Sequence, residues 1–195
     1  MVKIFTQYMS DLALTSLHDC IGIPIKGIYC PGATIAIGTK MAQFKSASIP
    51  LGHRRYLVIS NDWADTPIEA IDYYFLDAVI TDRPKGINVS DSKSGRLLGW
   101  EHHHPLCHFL FGQESRIFRI EVFYSVNPAE EEQAEFDSAI RFSLESGFEF
   151  CFSPSESISG EIEINFDTSL IKDLLEPMHL RRQFYVPSLC HEATE

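Results

Sequence analysis

The sequence predicts a single α+β domain over residues 1–186, a mostly antiparallel sheet with a few helices packed on one face. Three observations carry that expectation. Apolar and polar residues alternate with period two through 118–126 and again through 148–152 and 162–166. Two segments carry helix-start chemistry: Thr66-Pro67-Ile68-Glu69, and Asn127-Pro128 followed by Glu130. Strand-like and helix-like stretches are mixed without the regular alternation of a parallel βαβ fold.

Taken in order, residues 10–19 predict a short helix, capped by Ser10 and presenting Leu14, Leu17 and Ile21 on one side. Strands are expected at 25–30 and 33–38 around the turn dipeptide Pro31-Gly32, with 40–47 continuing the meander. The unbroken run Tyr56-Leu57-Val58-Ile59 marks 54–60 as a buried strand. Thr66, Pro67 and Glu69 then form a capping box, and the aromatic, β-branched stretch 73–81 returns as a strand. Residues 82–95, with Pro84 and two glycines, read as a loop where the domain could be subdivided.

The alternation in 118–126 places Phe118, Ile120, Val122, Tyr124 and Val126 on the core side, with Arg119, Glu121 and Ser125 opposite. A helix is expected next. Asn127 caps it, Pro128 takes its first position, and Phe136, Ile140 and Leu144 recur every four residues before Gly147 stops it. A hairpin follows, with Phe148, Phe150 and Phe152 facing the core alongside Ile162, Ile164 and Phe166. A helix over 168–176, a strand over 181–186 and a flexible tail at 187–195 complete the reading.

The composition narrows the function. The 195 residues hold 16 Lys and Arg against 27 Asp and Glu, a net charge of −11. A nucleic-acid backbone binder needs a basic surface, so that class is disfavoured. The basic clusters His53-Arg54-Arg55 and Arg181-Arg182 read as ion-pair partners for the many acids. The five cysteines are odd in number and widely spaced, with no C-x-x-C pair, which predicts reduced thiols and a cytoplasmic setting. No apolar run is long enough for a membrane span, and the N-terminal stretch is broken by Gln7, Ser10 and Asp11.

No complete nucleophile elbow or phosphate-binding glycine loop occurs, so catalysis has little direct support. Cys107 beside His108 is a chance neighbour, because adjacent strand residues face opposite ways. The acids Asp62, Asp65, Asp72, Asp77 and Asp82 could supply a carboxylate pair, but they read first as a solvated face. Two constellations remain. The segment 99–108 holds His102, His103, His104 and His108; on a strand, His102 and His104 share a face and could hold a divalent metal such as zinc, with His108 as a third ligand. The other is acidic: period two puts Glu149, Glu161 and Glu163 on one face of the hairpin, with Glu130, Glu131, Glu132 and Glu135 nearby. The favoured expectation is a non-catalytic module that docks a basic protein, regulatory or neutralising in the manner of an immunity protein. The alternative is a metal-dependent enzyme or metal-binding protein at the histidines. No cofactor is expected on the first reading.

Overall fold

The computed structural model describes residues 2–31, 34–35, 41–86, 106–155 and 160–186. It is dominated by strand, 61% against 11% helix, and so corrects the expected α+β layering of helices on one face. The elements are β1 (Lys3–Gln7), α1 (Asp11–His18), β2 (Pro24–Pro31), β3 (Thr34–Ile35), β4 (Met41–Phe44), β5 (Ala47–Pro50) and β6 (Tyr56–Asp65). They continue with β7 (Asp72–Thr81), β8 (Leu106–Pro128), β9 (Glu132–Leu144), β10 (Glu149–Pro154), β11 (Ile162–Asn165), α2 (Thr168–Leu175) and β12 (His179–Tyr185).

The strands run in the order β3-β4-β11-β10-β9-β8-β2-β5-β6-β7, with β12 beside β8 and β1 beside β9. Strand β8 joins the two halves. Its first part, to Arg116, pairs with β2, whereas from Ile117 onward it pairs with β9, and from Arg119 with β12 as well. The sheet therefore folds over on itself around one core. Leu57, Ile59, Leu76 and Ala78 of one half join Ile120, Val122, Ile140 and Phe142 of the other in a single buried cluster. Helix α1 enters the same cluster through Ala13 and Leu17, and its Ser10 cap accepts the Ala13 N–H as expected. Within that core Phe150 stacks on Phe142, with ring centroids 4.9 Å apart.

Three local expectations are overturned, each for a physical reason. The helix expected from Asn127 to Gly147 is the strand β9. A spacing of four is a multiple of two, so Phe136, Ile140 and Leu144 satisfy a strand as readily as a helix. The buried Ile140, Phe142 and Leu144 alternate toward the main core, whereas Ala134 and Phe136 pack in a separate cluster with Tyr73, the bulge at Ser138 lying between the two runs. The capping-box segment after Thr66 is a turn rather than a helix. Thr66 Oγ1 accepts the Ile71 N–H, and Ala70 takes a left-handed φ of 52°. Finally Phe118 is 43% exposed, not in the core, because a β-bulge lies between Ile117 and Arg119. Ile117 takes the core position instead, and Ile120 and Val122 stay buried.

The helix-start residues serve a different structure. The Glu69 carboxylate accepts the backbone N–H groups of Glu130, Glu131 and Glu132. Glu132, itself buried, accepts those of Ile68 and Glu69. Two turns thus cap each other with side-chain oxygens, using the acceptor chemistry that would otherwise start two helices.

A second lock ties both ends of the described chain to β9. Asp137 is fully buried and accepts Arg181 Nε at 2.6 Å, Arg181 Nη2 at 2.5 Å and the Met9 N–H at 2.6 Å. Arg181 also lies over the Tyr8 ring, 4.8 Å from its centroid. Among the described residues no helix is long and apolar enough to cross a membrane. The expected tail at 187–195 and most of the 82–95 loop lie outside the described residues.

Candidate functional site

A cleft of about 750 Å³ lies on the face of the sheet opposite the main core. Its floor comes from four neighbouring strands. Strand β8 supplies Ser125 and Asn127, β9 supplies Phe136 and Ser138, β10 supplies Ser153, and β11 supplies Glu163. One wall is α2 and the turn after it, through Leu174 and Met178; the other is the start of β7, through Asp72 and Tyr74.

Strand register explains why these residues meet. Ser125 stands opposite Phe136, and Ser153 stands opposite Glu163, so each pair shares a face. Ser138 is the extra residue of a bulge in β9, and its hydroxyl meets that of Ser125 at 2.6 Å. The β7 wall is anchored by Tyr73, whose ring stacks on Phe136 at 5.4 Å, and by Asn127 Nδ2, which donates to the Asp72 carbonyl. Helix α2 is held over β10 by Ile171, buried against Ala139 and Cys151, and is capped by Asp167.

The described lining has carboxylates and hydroxyls but no cation. Asp72 and Glu163 carry negative charge, four serines and Tyr74 offer hydroxyls, and none of the described lining residues is Lys, Arg or His. Among the described lining residues the Ser125 and Ser138 hydroxyls pair with each other.

The seven glutamates singled out in the sequence are distributed among several roles. Glu163 lines the cleft and accepts Gln43 Nε2 at 2.6 Å. Glu161 pairs with Lys45 at 3.4 Å. Glu149 is four positions along β10 from Ser153, the residue opposite Glu163, about 13 Å away at ~3.3 Å per strand residue. There it is enclosed by Arg141 and Ser143 and lies near Arg119. Desolvation pushes its carboxyl pKa up, but the hydrogen bonds from Arg141 and Ser143 and the charges of Arg141 and Arg119 outweigh it, leaving a lowered value. Glu132 behaves alike, with desolvation outweighed by the backbone N–H groups of Glu69 and Ile68 and by Thr66. Glu135 accepts the Tyr8 hydroxyl, whose pKa is pushed up to about 12 by burial and by that bond. Glu130 and Glu131 are exposed, at the turn that Glu69 caps.

His102, His103 and His104 lie outside the described residues, as does the Cys107 side chain. His108 is exposed on β8, its ring 4.4 Å from that of Tyr29, and desolvation there lowers its pKa. Among the described residues no group of three or more His, Cys, Asp or Glu is placed to hold a metal ion. Cys20, Cys30 and Cys151 are buried, and burial raises the pKa of Cys20 and Cys151 to about 12.

Sequence reasoning missed the cleft itself. Asp72 reads among scattered acids and the serines carry no signal of their own, because only the β8-β9-β10-β11 order brings them together. Comparison with known proteins finds no matching family model, no matching curated protein and no matching solved structure.

Proposed function

We propose that this protein is a non-catalytic binding module that docks a basic protein partner, taking a cationic side chain of that partner into the cleft between α2 and β7. The observation that supports this reading is the lining: two carboxylates and several hydroxyls, with no lysine, arginine or histidine among the described lining residues. Net charge of −11 adds a long-range field that speeds encounter with a basic surface. The glutamates at the β8–β9 turn, Glu130 and Glu131, contribute to that field from outside the cleft.

Two substitutions test it without disturbing the fold. Asp72→Asn and Glu163→Gln remove the charges and keep the shapes, and a glutamine carbonyl still accepts from Gln43. Calorimetric titration with protamine, an arginine-rich protein, should show binding that weakens as salt rises. The double variant should lose at least about tenfold in affinity, one decade being about 1.4 kcal/mol. Equal affinity for parent and double variant would place the interaction elsewhere and remove the proposal.

A further inference from the structure

The end of the β6–β7 hairpin carries two rungs that extend the cleft toward solvent. Trp63 stands opposite Tyr74, and Asp65 stands opposite Asp72. Tyr74 and Asp72 line the cleft, and by the pleat of the ladder Trp63 and Asp65 project from the same hairpin face. Trp63 is 42% exposed although it is among the largest apolar side chains. Opposed aspartates repel one another, and among the described residues neither Asp65 nor Asp72 has a salt-bridge partner. A flat aromatic surface thus lies one rung from a doubled negative charge that no cation among the described residues pairs with.

We infer that this lip is an arginine receptor: Trp63 and Tyr74 stack a guanidinium of the partner while Asp65 and Asp72 accept its N–H groups. The inference rests on the cationic-partner reading above and narrows it to one side chain. The chemistry separates arginine from lysine. A guanidinium is planar, weakly hydrated and has five donors in a fixed fork, so it can stack and bind carboxylates at once. An ammonium is a compact, strongly hydrated charge that gains less from an indole face. The occupant is therefore an arginine-bearing segment of a protein, chosen by charge complementarity and by the exposed indole.

The test compares octa-arginine and octa-lysine peptides, equal in length and charge, by fluorescence-anisotropy titration against the full chain. The parent should prefer octa-arginine by about fivefold or more, the scale of a cation–π contact that is partly desolvated. Trp63→Leu should abolish that preference by lowering octa-arginine affinity more than octa-lysine affinity, and Trp63→Phe should restore part of it. Thermal melts of the variants should stay close to that of the parent, since Trp63 belongs to none of the buried clusters. Binding of both peptides with no preference, or a preference that survives Trp63→Leu, overturns the arginine inference and leaves the cationic-partner reading standing. Binding of neither peptide overturns both. Spermidine that displaces octa-arginine at an equal concentration of charge would make the lip a polyamine site and also overturn the inference.

Discussion

Replacing Asp137 by alanine should cost more than any exposed-charge substitution in this chain. The carboxylate is fully buried, and its three donors come from two residues distant in sequence, Met9 and Arg181. Removing it strands a guanidinium whose side chain is only 14% exposed, together with a buried backbone N–H. Breaking one side of a buried ion pair costs about 3–5 kcal/mol. An orphaned amide adds about 1 kcal/mol or more, which solvent entering near β12 partly offsets. A net loss of about 4 kcal/mol is therefore expected, a large share of the ~5–15 kcal/mol that holds a domain folded. At roughly 2–4 °C per kcal/mol for a chain this size, the midpoint should fall by about 8–16 °C. Urea denaturation measures the loss directly. The double variant Asp137→Ala/Arg181→Met should be more stable than Asp137→Ala alone, because no buried charge remains unpaired. A loss below about 1 kcal/mol, or a double variant less stable than Asp137→Ala, would refute the claim that this pair is a buried lock.

Further outcomes follow from the register, the backbone and the carboxylates. Val122→Asp should cost several kcal/mol in urea melts, whereas Phe118→Asp, at the bulge, should change stability by less than about 0.5 kcal/mol. Gly27→Ala should destabilise strongly in the same melts, because an added Cβ would collide with the Phe109 carbonyl oxygen, a backbone atom that cannot step aside. Glu132 and Glu149 have pKa values below those of the unfolded chain, so their stabilisation is present above about pH 4.3 and is lost as pH falls through their folded values. The stability gap between the parent and Glu149→Gln should therefore narrow as the pH is lowered from about 6 to about 3, read by denaturation at each pH.

Much of the sheet was legible from period two. The hairpin of Phe150 and Phe152 against Ile162 and Ile164 needed only alternation and turn residues, and both strands lie where the pattern puts them. The short helices at Ser10 and Asp167 were legible through their caps. The stretch after Asn127 was not, because its local signals favour a helix while its apolar spacing is shared by both periods. What decides it is non-local: Glu69, some sixty residues earlier, takes the N–H groups that a helix N-terminus would present. The acidic site was legible in part. Alternation identified Glu163 as outward-facing, but it also grouped Glu149 with it, because sequence parity gives the face and not the distance along the ladder. Asp65 and Asp72 were visible as acids, yet only the β6–β7 register shows that they oppose each other.

The central claim is that the cleft between α2 and β7 receives a cation from a basic protein. Amide chemical-shift mapping of the isotope-labelled chain during octa-arginine titration tests it most directly. The expected perturbations concentrate at Asp72, Tyr74, Ser125, Ser138 and Glu163 and saturate with one binding curve. Perturbations centred instead on Glu130 and Glu131, or spread over the acidic surface without saturating, would show only diffuse charge attraction and contradict the account.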